Sequence, residues 1–192
     1  FVQKCSVLYN MEVPEHYDFD SLRRSDNKVV CPVELILTLK KGSEVIEIEY
    51  NVDNRAKDHR IRLLVDTNII SDISVADIPF DMVYRPAELQ YPDTMSDVYA
   101  NTSFAAIGDN SKGVCVFTEG AHEYEHLKDE KAVLAFTLVR STGVISRGGN
   151  LKSTGGRQWV AEQNQCIRKI SGRVGIYLYS GCALILLGNP LP

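Results

Sequence analysis

The 192-residue sequence has no basic block, no C-x-x-C pair and no apolar run of transmembrane length. A net charge of -4, without clustered Lys and Arg, argues against nucleic acid as a main partner. Because a signal-peptide pattern is also absent, we expect no membrane partner and a cytoplasmic location. The cysteines are odd in number and far apart, which favours isolated reduced thiols. They are Cys5, Cys31, Cys115, Cys166 and Cys182.

Both ends of the sequence resemble cuts in a longer chain. The first residue is Phe1 rather than methionine, and the last four residues follow an apolar segment directly. We therefore expect residues 1–192 to be a single domain and a fragment of a longer protein. A domain of this length buries roughly 70% of its unfolded surface, so we expect it to fold without disulfides or a structural metal.

Alternation of apolar and polar residues is what the sequence has in abundance, and it is most regular between Val33 and Asp66. Three segments carry it: VELILTLK at 33–40, EVIEIEYNVD at 44–53 and RIRLLVD at 60–66. A period of two is typical of strands with one buried and one solvated face. The short links between the segments predict an antiparallel meander in chain order.

The meander also predicts which residues face each other across the strands. A two-residue turn after the first strand would set Leu37 opposite Ile46. A six-residue loop after the second strand would set Asp53 opposite Arg60, an ion pair on the solvated face. A slip by one residue would turn every apolar side chain to solvent, so we expect the register to be well determined.

Other apolar segments predict further strands on both sides of the meander. They are 1–9, 103–107, 113–118, 132–139, 174–179 and 183–187. The segment 132–139 is almost wholly apolar, which is typical of a central strand. Prolines confine the extended segment 78–86 to a sheet edge. Since strands greatly outnumber helices, we predict an all-β fold, an antiparallel β-sandwich.

The segment His122-Glu123-Tyr124-Glu125-His126 matches the zinc-hydrolase motif H-E-x-x-H. On a helix, His122 and His126 would share one face and could bind zinc, with Glu123 as general base. The segment is short, however, and lies between two predicted strands. We therefore favour a polar loop or strand end and keep the zinc hydrolase as a less favoured alternative.

Two arginines are candidate ligand contacts. Arg140 stands where an apolar strand ends, and Arg147 lies in the glycine-rich segment that follows. A guanidinium presents a fork of donors to a sugar hydroxyl or a carboxylate, although an ion pair with a nearby acid explains Arg140 equally well. Tyr91, Tyr99 and Trp159 would suit a sugar-stacking platform or, more often, a core or an interface.

Six blocks spread over nearly the whole chain carry a family resemblance. They are CPVELILTL at 31–39 with KGS at 41–43 and VDNRAKDHRIR at 52–62; ADIPFD at 76–81 with VYRP at 83–86; GAHEYE at 120–125; LVRSTG at 138–143 with Ser146 and Arg147; 163–179; and 189–191. In this order they resemble the β-domain of the α-mannosidases of glycoside hydrolase family 38.

The resemblance implies a sandwich related to the galactose-mutarotase-like supersandwich. It also implies that the zinc, the aspartate nucleophile and the acid/base carboxylate belong to an upstream α/β-barrel. The chain itself would then hold no catalytic residue and no metal, and would be inactive alone. Its partners would be the barrel and a mannoside, which the parent protein hydrolyses with retention of configuration. The pocket rim formed by this domain would include Arg140, Glu119, His122, Tyr124 and Arg147.

Beside the zinc hydrolase, two further functions stay open from the sequence. A stand-alone carbohydrate-binding module would need an exposed aromatic platform. A mutarotase-type enzyme would need a histidine and a glutamate in the right geometry, and fold alone does not establish that activity. An exposed sandwich edge is a site of self-association, so a homo-oligomer is also compatible with the sequence.

Overall fold

The computed structural model describes residues 1–88, 98–128, 130–146 and 159–181. This part of the chain is almost entirely β-structure, with a single 3₁₀ turn at Glu162–Gln165. The strands are β1 (Val2–Pro14), β2 (Tyr17–Asp18), β3 (Arg23–Arg24), β4 (Lys28–Lys40), β5 (Val45–Asp53), β6 (His59–Asp66), β7 (Ile73–Ile78), β8 (Asp81–Pro86), β9 (Val98–Ala100), β10 (Phe104–Gly108), β11 (Lys112–Glu119), β12 (Glu123–Lys128), β13 (Ala132–Ser141), β14 (Val144–Ser146), β15 (Trp159–Val160) and β16 (Lys169–Ser180).

The strands form two main antiparallel sheets. The eight-stranded sheet has the order β1-β4-β5-β16-β11-β10-β7-β8, and the four-stranded sheet has the order β6-β13-β12-β9. Two short hairpins, β2-β3 and β14-β15, lie outside these sheets. The predicted antiparallel β-sandwich is confirmed. Within the described residues, no helix combines the length and the apolar character that a membrane crossing requires.

One apolar core joins the two sheets. Tyr50 and Val116 reach it from the eight-stranded sheet, and Leu134 and Phe136 from the four-stranded sheet. The rings of Tyr124 and Phe136 stack with centroids 5.8 Å apart, and both side chains are completely buried. Ring burial of this kind is among the largest contributions a side chain makes to a core. The two sheets therefore pack on one common core, and their outward-facing residues lie on opposite sides of it.

The first predicted hairpin forms, but its register differs by two residues from the prediction. Leu37 lies opposite Ile48 rather than Ile46. The reason is the connection, which occupies four residues, 41–44, instead of two. A shift by two residues keeps every side chain on its predicted face. The buried face was therefore right although the pairing was wrong.

The second predicted pairing is wrong, because β6 does not lie beside β5. After β5 the chain crosses to the other sheet, where β6 pairs with β13. The free side of β5 is taken by β16, with Ile170 opposite Val52. The expected pair of Asp53 with Arg60 is absent as well, since the Asp53 carboxylate binds Arg55 at 2.5 Å. Alternation identifies a buried face but does not name the neighbouring strand.

Most of the other predicted strands are found. Strands β10, β11 and β16 contain the predicted segments at 103–107, 113–118 and 174–179, apart from Ser103. The apolar segment 132–139 is β13, between β6 and β12, and β8 is an edge strand as its prolines require. Strand β1 runs on to Pro14, beyond the predicted end at Tyr9. The predicted strand 183–187 lies outside the described residues.

Two glycines on central strands accommodate tyrosine rings from the strand opposite. Gly172 faces Tyr50, and a Cβ at Gly172 would lie 2.3 Å from the Tyr50 hydroxyl oxygen. Gly113 faces Tyr179 in the same way. A tyrosine lying over a cross-strand glycine restores the packing that the glycine lacks. These positions therefore exclude any side chain larger than hydrogen.

The four cysteines in the described residues are free thiols, in keeping with the prediction of isolated reduced cysteines. Cys31 is completely buried, and its Sγ accepts a hydrogen bond from the Arg55 backbone N–H at 3.3 Å. Burial, followed by the charge of Asp77, raises the pKa of the Cys115 thiol to about 12. A thiol held protonated in this way is a poor nucleophile.

Candidate functional site

A cleft of about 540 Å³ lies at one end of the four-stranded sheet. Its wall is the β2-β3 hairpin, which contributes two aromatic rings and an arginine. Its floor comes from the start of β6, the start of β12 and the end of β13. The lining residues are Tyr17, Phe19, Arg24, Asp58, His59, Arg60, Val98, Glu123, Arg140, Ser141, Thr142 and Val144.

The floor of the cleft continues into a ladder of alternating charges on the outer face of the sheet. Glu123 binds Arg140 at 3.2 Å and Arg60 at 3.5 Å. Glu125 binds Arg60 at 3.4 Å and Arg62 at 2.5 Å. These pairs arise because residues of one parity on β6, β12 and β13 share the outer face. The chain thus forms a three-strand network of ion pairs.

The ladder resolves a like-charge conflict in the sheet. Arg60 and Arg140 are direct cross-strand partners, a destabilising arrangement for two cations. The Glu123 carboxylate lies between them and is held by a hydrogen bond from the Thr137 hydroxyl at 2.8 Å. Arg140 nevertheless remains 68% exposed and opens into the cleft. Glu123 therefore orients Arg140 without covering it.

Asp58 joins the wall of the cleft to its floor. Its backbone has a φ of 57°, a left-handed conformation that aspartate tolerates better than most residues. The carboxylate accepts hydrogen bonds from the Gln165 amide at 2.6 Å and the Gly143 N–H at 3.3 Å. The Asp58 carbonyl accepts a bond of 2.6 Å from Arg24. The cleft is therefore braced by residues distant in sequence.

A buried polar network supports the cleft from below. Asn54 is 1% exposed and donates from its amide to the carbonyls of Gln165 and Cys166. Its Oδ1 lies 2.7 Å from His59 Nε2 and accepts the ring proton. Burial, followed by the charge of Arg24, lowers the pKa of His59. The lowered pKa keeps the His59 ring neutral at neutral pH. The hydrogen bonds of the network fix the orientation of the ring.

The structure separates the predicted rim residues. Arg140 lines the cleft, whereas Glu119 ends β11 in the other sheet. His122 is exposed just before β12. The prediction that Tyr124 belongs to the pocket rim is wrong. Its side chain is 0% exposed in the core and hydrogen-bonds to the Ser74 hydroxyl at 3.0 Å. Arg147 lies outside the described residues.

The H-E-x-x-H segment forms no helix. His122 and His126 therefore do not share the helix face that a zinc hydrolase needs. Glu123–Lys128 is a strand that contains His126, and His122 directly precedes it, so extended backbone separates the two histidines by about 13 Å. His126 points into the interior and is 4% exposed. Within the described residues, no three His, Cys, Asp or Glu side chains converge as metal ligands would.

Of the three aromatic residues predicted as a sugar-stacking platform, the structure describes the side chain of Tyr99. Tyr99 is 7% exposed and donates its hydroxyl proton to the Pro86 carbonyl, so it belongs to the core. Tyr91 and the side chain of Trp159 lie outside what the structure describes. The exposed ring at the cleft is Phe19, which packs edge-on against Tyr17 with centroids 5.0 Å apart. The sequence carried no pattern that singled out this pair.

Arginine forks, carboxylates and an exposed aromatic ring give the cleft the groups that bind sugars by hydrogen bonding and stacking. Fold and cleft together define a class, the antiparallel β-sandwich domains with a polar cleft at one end of a sheet. The family described as "Glycosyl hydrolases family 38 C-terminal domain" matches residues 11–144. The chain therefore belongs to the C-terminal domains of glycoside hydrolase family 38.

Similar proteins agree with this assignment. Over 133 residues the chain is 30% identical to a protein of Halalkalibacterium halodurans described as "Putative mannosylglycerate hydrolase", covering 66% of this chain and 14% of that protein. It superposes on an α-mannosidase from Enterococcus faecalis V583 with a TM-score of 0.82 at 23% identity. A family 38 glycosyl hydrolase from Enterococcus faecalis gives a TM-score of 0.78 at 24% identity. Both alignments cover 94% of this chain and 21% of the solved chain.

Proposed function

We propose that this domain completes the substrate pocket of a retaining, zinc-dependent α-mannosidase, packing against a catalytic barrel that lies upstream in the same protein. The parent would hydrolyse terminal α-mannosides, and the domain alone would be inactive. The chain spans about a seventh of its curated relative and about a fifth of the solved structures. The activity is therefore attributed to the parent and not to residues of this chain.

The observation that carries the proposal is the exposed guanidinium of Arg140 at the cleft. Glu123 holds one side of this group at 3.2 Å, and the side chain is still 68% exposed. A guanidinium that is oriented by one carboxylate keeps donors free for a second oxygen ligand. The neighbouring Phe19 ring offers a surface against which a sugar can stack. The cleft therefore has the composition of a pocket wall.

The zinc of such an enzyme does not fit the part of this domain that the structure describes. The described residues bring no ligand set together, and His126 is turned into the core. The residues of this chain would bind and orient the substrate, and the barrel would supply the nucleophile and the acid.

The test is the change Arg140→Ala in the full-length parent protein. Loss of a charge-assisted hydrogen bond to substrate should lower kcat/KM for an aryl α-mannoside about tenfold or more. Lys128→Ala is the matched control, since Lys128 is also in ion pairs on β12 but at the other end of the sheet. Unchanged kinetics in a folded Arg140→Ala enzyme would contradict the proposed role.

A further inference from the structure

A groove of about 710 Å³ crosses the outer face of the eight-stranded sheet, remote from the Arg140 cleft. It runs over strands β1, β4, β5, β16 and β11. Its lining residues are Val2, Lys4, Thr38, Lys40, Glu47, Ile48, Glu49, Phe117, Thr118, Glu119, Arg173, Val174 and Gly175. The strand register explains its shape, because the outward-facing residues stand in rows across the sheet.

One row is aromatic and contains a glycine. Phe117 on β11 lies opposite Gly175 on β16, which lies opposite Glu47 on β5. A Cβ at Gly175 would approach the Val45 side chain to 2.9 Å and the Phe117 Cβ to 3.7 Å, so only a glycine fits between these two side chains. Phe117 is 40% exposed and is braced by Phe104, edge-on with centroids 6.4 Å apart. The ring is thus a fixed, accessible platform.

The neighbouring row is polar, and its side chains face solvent. Arg173 on β16 lies between Glu49 on β5 and Glu119 on β11. All three side chains are exposed, and among the described residues none of them takes part in an ion pair or a side-chain hydrogen bond. Outward-facing groups with free donors and acceptors beside an exposed ring have the chemistry of a binding surface.

Charge and shape indicate the kind of ligand. Three cations (Lys4, Lys40, Arg173) and three anions (Glu47, Glu49, Glu119) line the groove, so their formal charges cancel. A balanced surface favours a neutral ligand with many hydroxyl groups over an acidic or basic one. A second depression of about 570 Å³ continues along the same face past Asn51 and Ser171. The outer face of β5 from Glu47 to Asp53 extends about 20 Å, which suits a chain rather than a single sugar.

We propose that this groove, defined by Phe117, Arg173, Glu49 and Glu119, is a second binding site that takes a neutral glycan chain. Phe117 supplies the stacking surface, and the Glu49-Arg173-Glu119 row supplies hydrogen bonds to hydroxyls. The site is separate from the Arg140 cleft and lies on the opposite sheet. It holds a polysaccharide near the enzyme and takes no part in bond cleavage.

Affinity gel electrophoresis of the full-length protein tests the site. The probes are soluble α-mannan, dextran and the polyanion alginate, each cast into a native gel. Wild type should be retarded by a neutral polysaccharide and not by alginate. Phe117→Ala and Arg173→Ala should each weaken that retardation at least about fivefold, since a few central contacts dominate binding energy.

The controls separate this site from the cleft. Phe80→Ala removes an exposed ring on the turn between β7 and β8, and Arg23→Ala removes an exposed arginine that is paired with Asp26; both should behave as wild type. Arg140→Ala should keep its retardation even where its turnover falls. No retardation of wild type in either neutral gel, wild-type retardation of Phe117→Ala, or retardation by alginate would overturn the proposal.

Discussion

The arginines on the outer faces of the two sheets are held differently, although Lys40 and Glu47 on the eight-stranded sheet also form an ion pair, at 2.6 Å. On the four-stranded sheet every carboxylate of the ladder is within 3.5 Å of an arginine, as Glu123 and Glu125 illustrate. On the eight-stranded sheet Arg173 stands directly between two glutamates, and in the described residues it binds neither. Both faces rest on the same core, so the difference lies in the side chains and not in the scaffold.

The contrast shows two ways in which a sheet can present polar groups. Paired groups are fixed in direction but have part of their hydrogen-bonding capacity used, so Arg140 can offer only its remaining donors. Unpaired groups keep their full capacity but rely on the ligand to order them, which costs side-chain entropy. The first arrangement suits a pocket wall that must be in place before chemistry. The second suits a surface that retains a polymer.

The largest effect should come from disturbing the strand on which the groove is built. Gly172→Ala places a Cβ about where the Tyr50 ring lies, and Tyr50 is 3% exposed and cannot move freely. Overpacking of this kind typically costs about 1–3 kcal/mol, measured as the free energy of unfolding in urea. Ser171→Ala, an exposed neighbour on β16, should stay within about 0.5 kcal/mol. Equal stability of the two variants would mean that β16 is not anchored by this contact.

A smaller loss of unfolding free energy should appear on mild acidification. It should come from two histidines on the four-stranded sheet. Burial is the first cause that lowers the pKa of both His59 and His126 below the ordinary value of 6.5. The unfolded chain therefore binds protons near pH 6.5 that the folded chain does not. The contribution of these two histidines to the free energy of unfolding is fully present above about pH 6.5. It is lost as the pH falls toward their folded pKa values.

The measurement is the urea midpoint between pH 7.5 and pH 5. The change His126→Leu should flatten the decline, because leucine fills a similar space in the core without a titrating ring. The pKa of Asp77 is also lowered, but from 3.8, so this carboxyl contributes only at more acidic pH. Ser171→Ala should keep the wild-type slope. A decline that His126→Leu leaves untouched would place the titrating group elsewhere.

Strand positions were predictable because a buried face leaves a local pattern, whereas partners were not. The alternation in β4, β5 and β6 correctly placed their apolar faces. It could not show that β5 pairs with β16, since that contact joins distant parts of the chain and has no local pattern. The turn in the β4-β5 hairpin was predicted too short because Ser43 and Glu44 belong to it, and the Ser43 hydroxyl binds the Val45 backbone.

The candidate site was predictable only where one residue stood out from its strand. Arg140 could be found because a charge follows an apolar run. Arg60 and Asp58 could not, since they reach the cleft only through the crossing of the chain between sheets. The alternation at 123–128 did contain a usable pattern, with Glu123 and Glu125 outward and Tyr124 inward. The prediction for this segment, a polar loop or a strand end, did not use that pattern.

The smallest effect should distinguish the two faces most directly. Arg60→Ala removes two ion pairs from the ladder, where Arg60 is 34% exposed, and should cost up to about 1 kcal/mol of unfolding free energy. Arg173→Ala removes a charge that has no partner in the described residues, so its unfolding free energy should stay within about 0.5 kcal/mol of wild type. Both are single arginine truncations on strands, which makes them a matched pair. If Arg173→Ala proved the more destabilising, Arg173 would be a structural group, and the distinction between a satisfied face and an open face would fail.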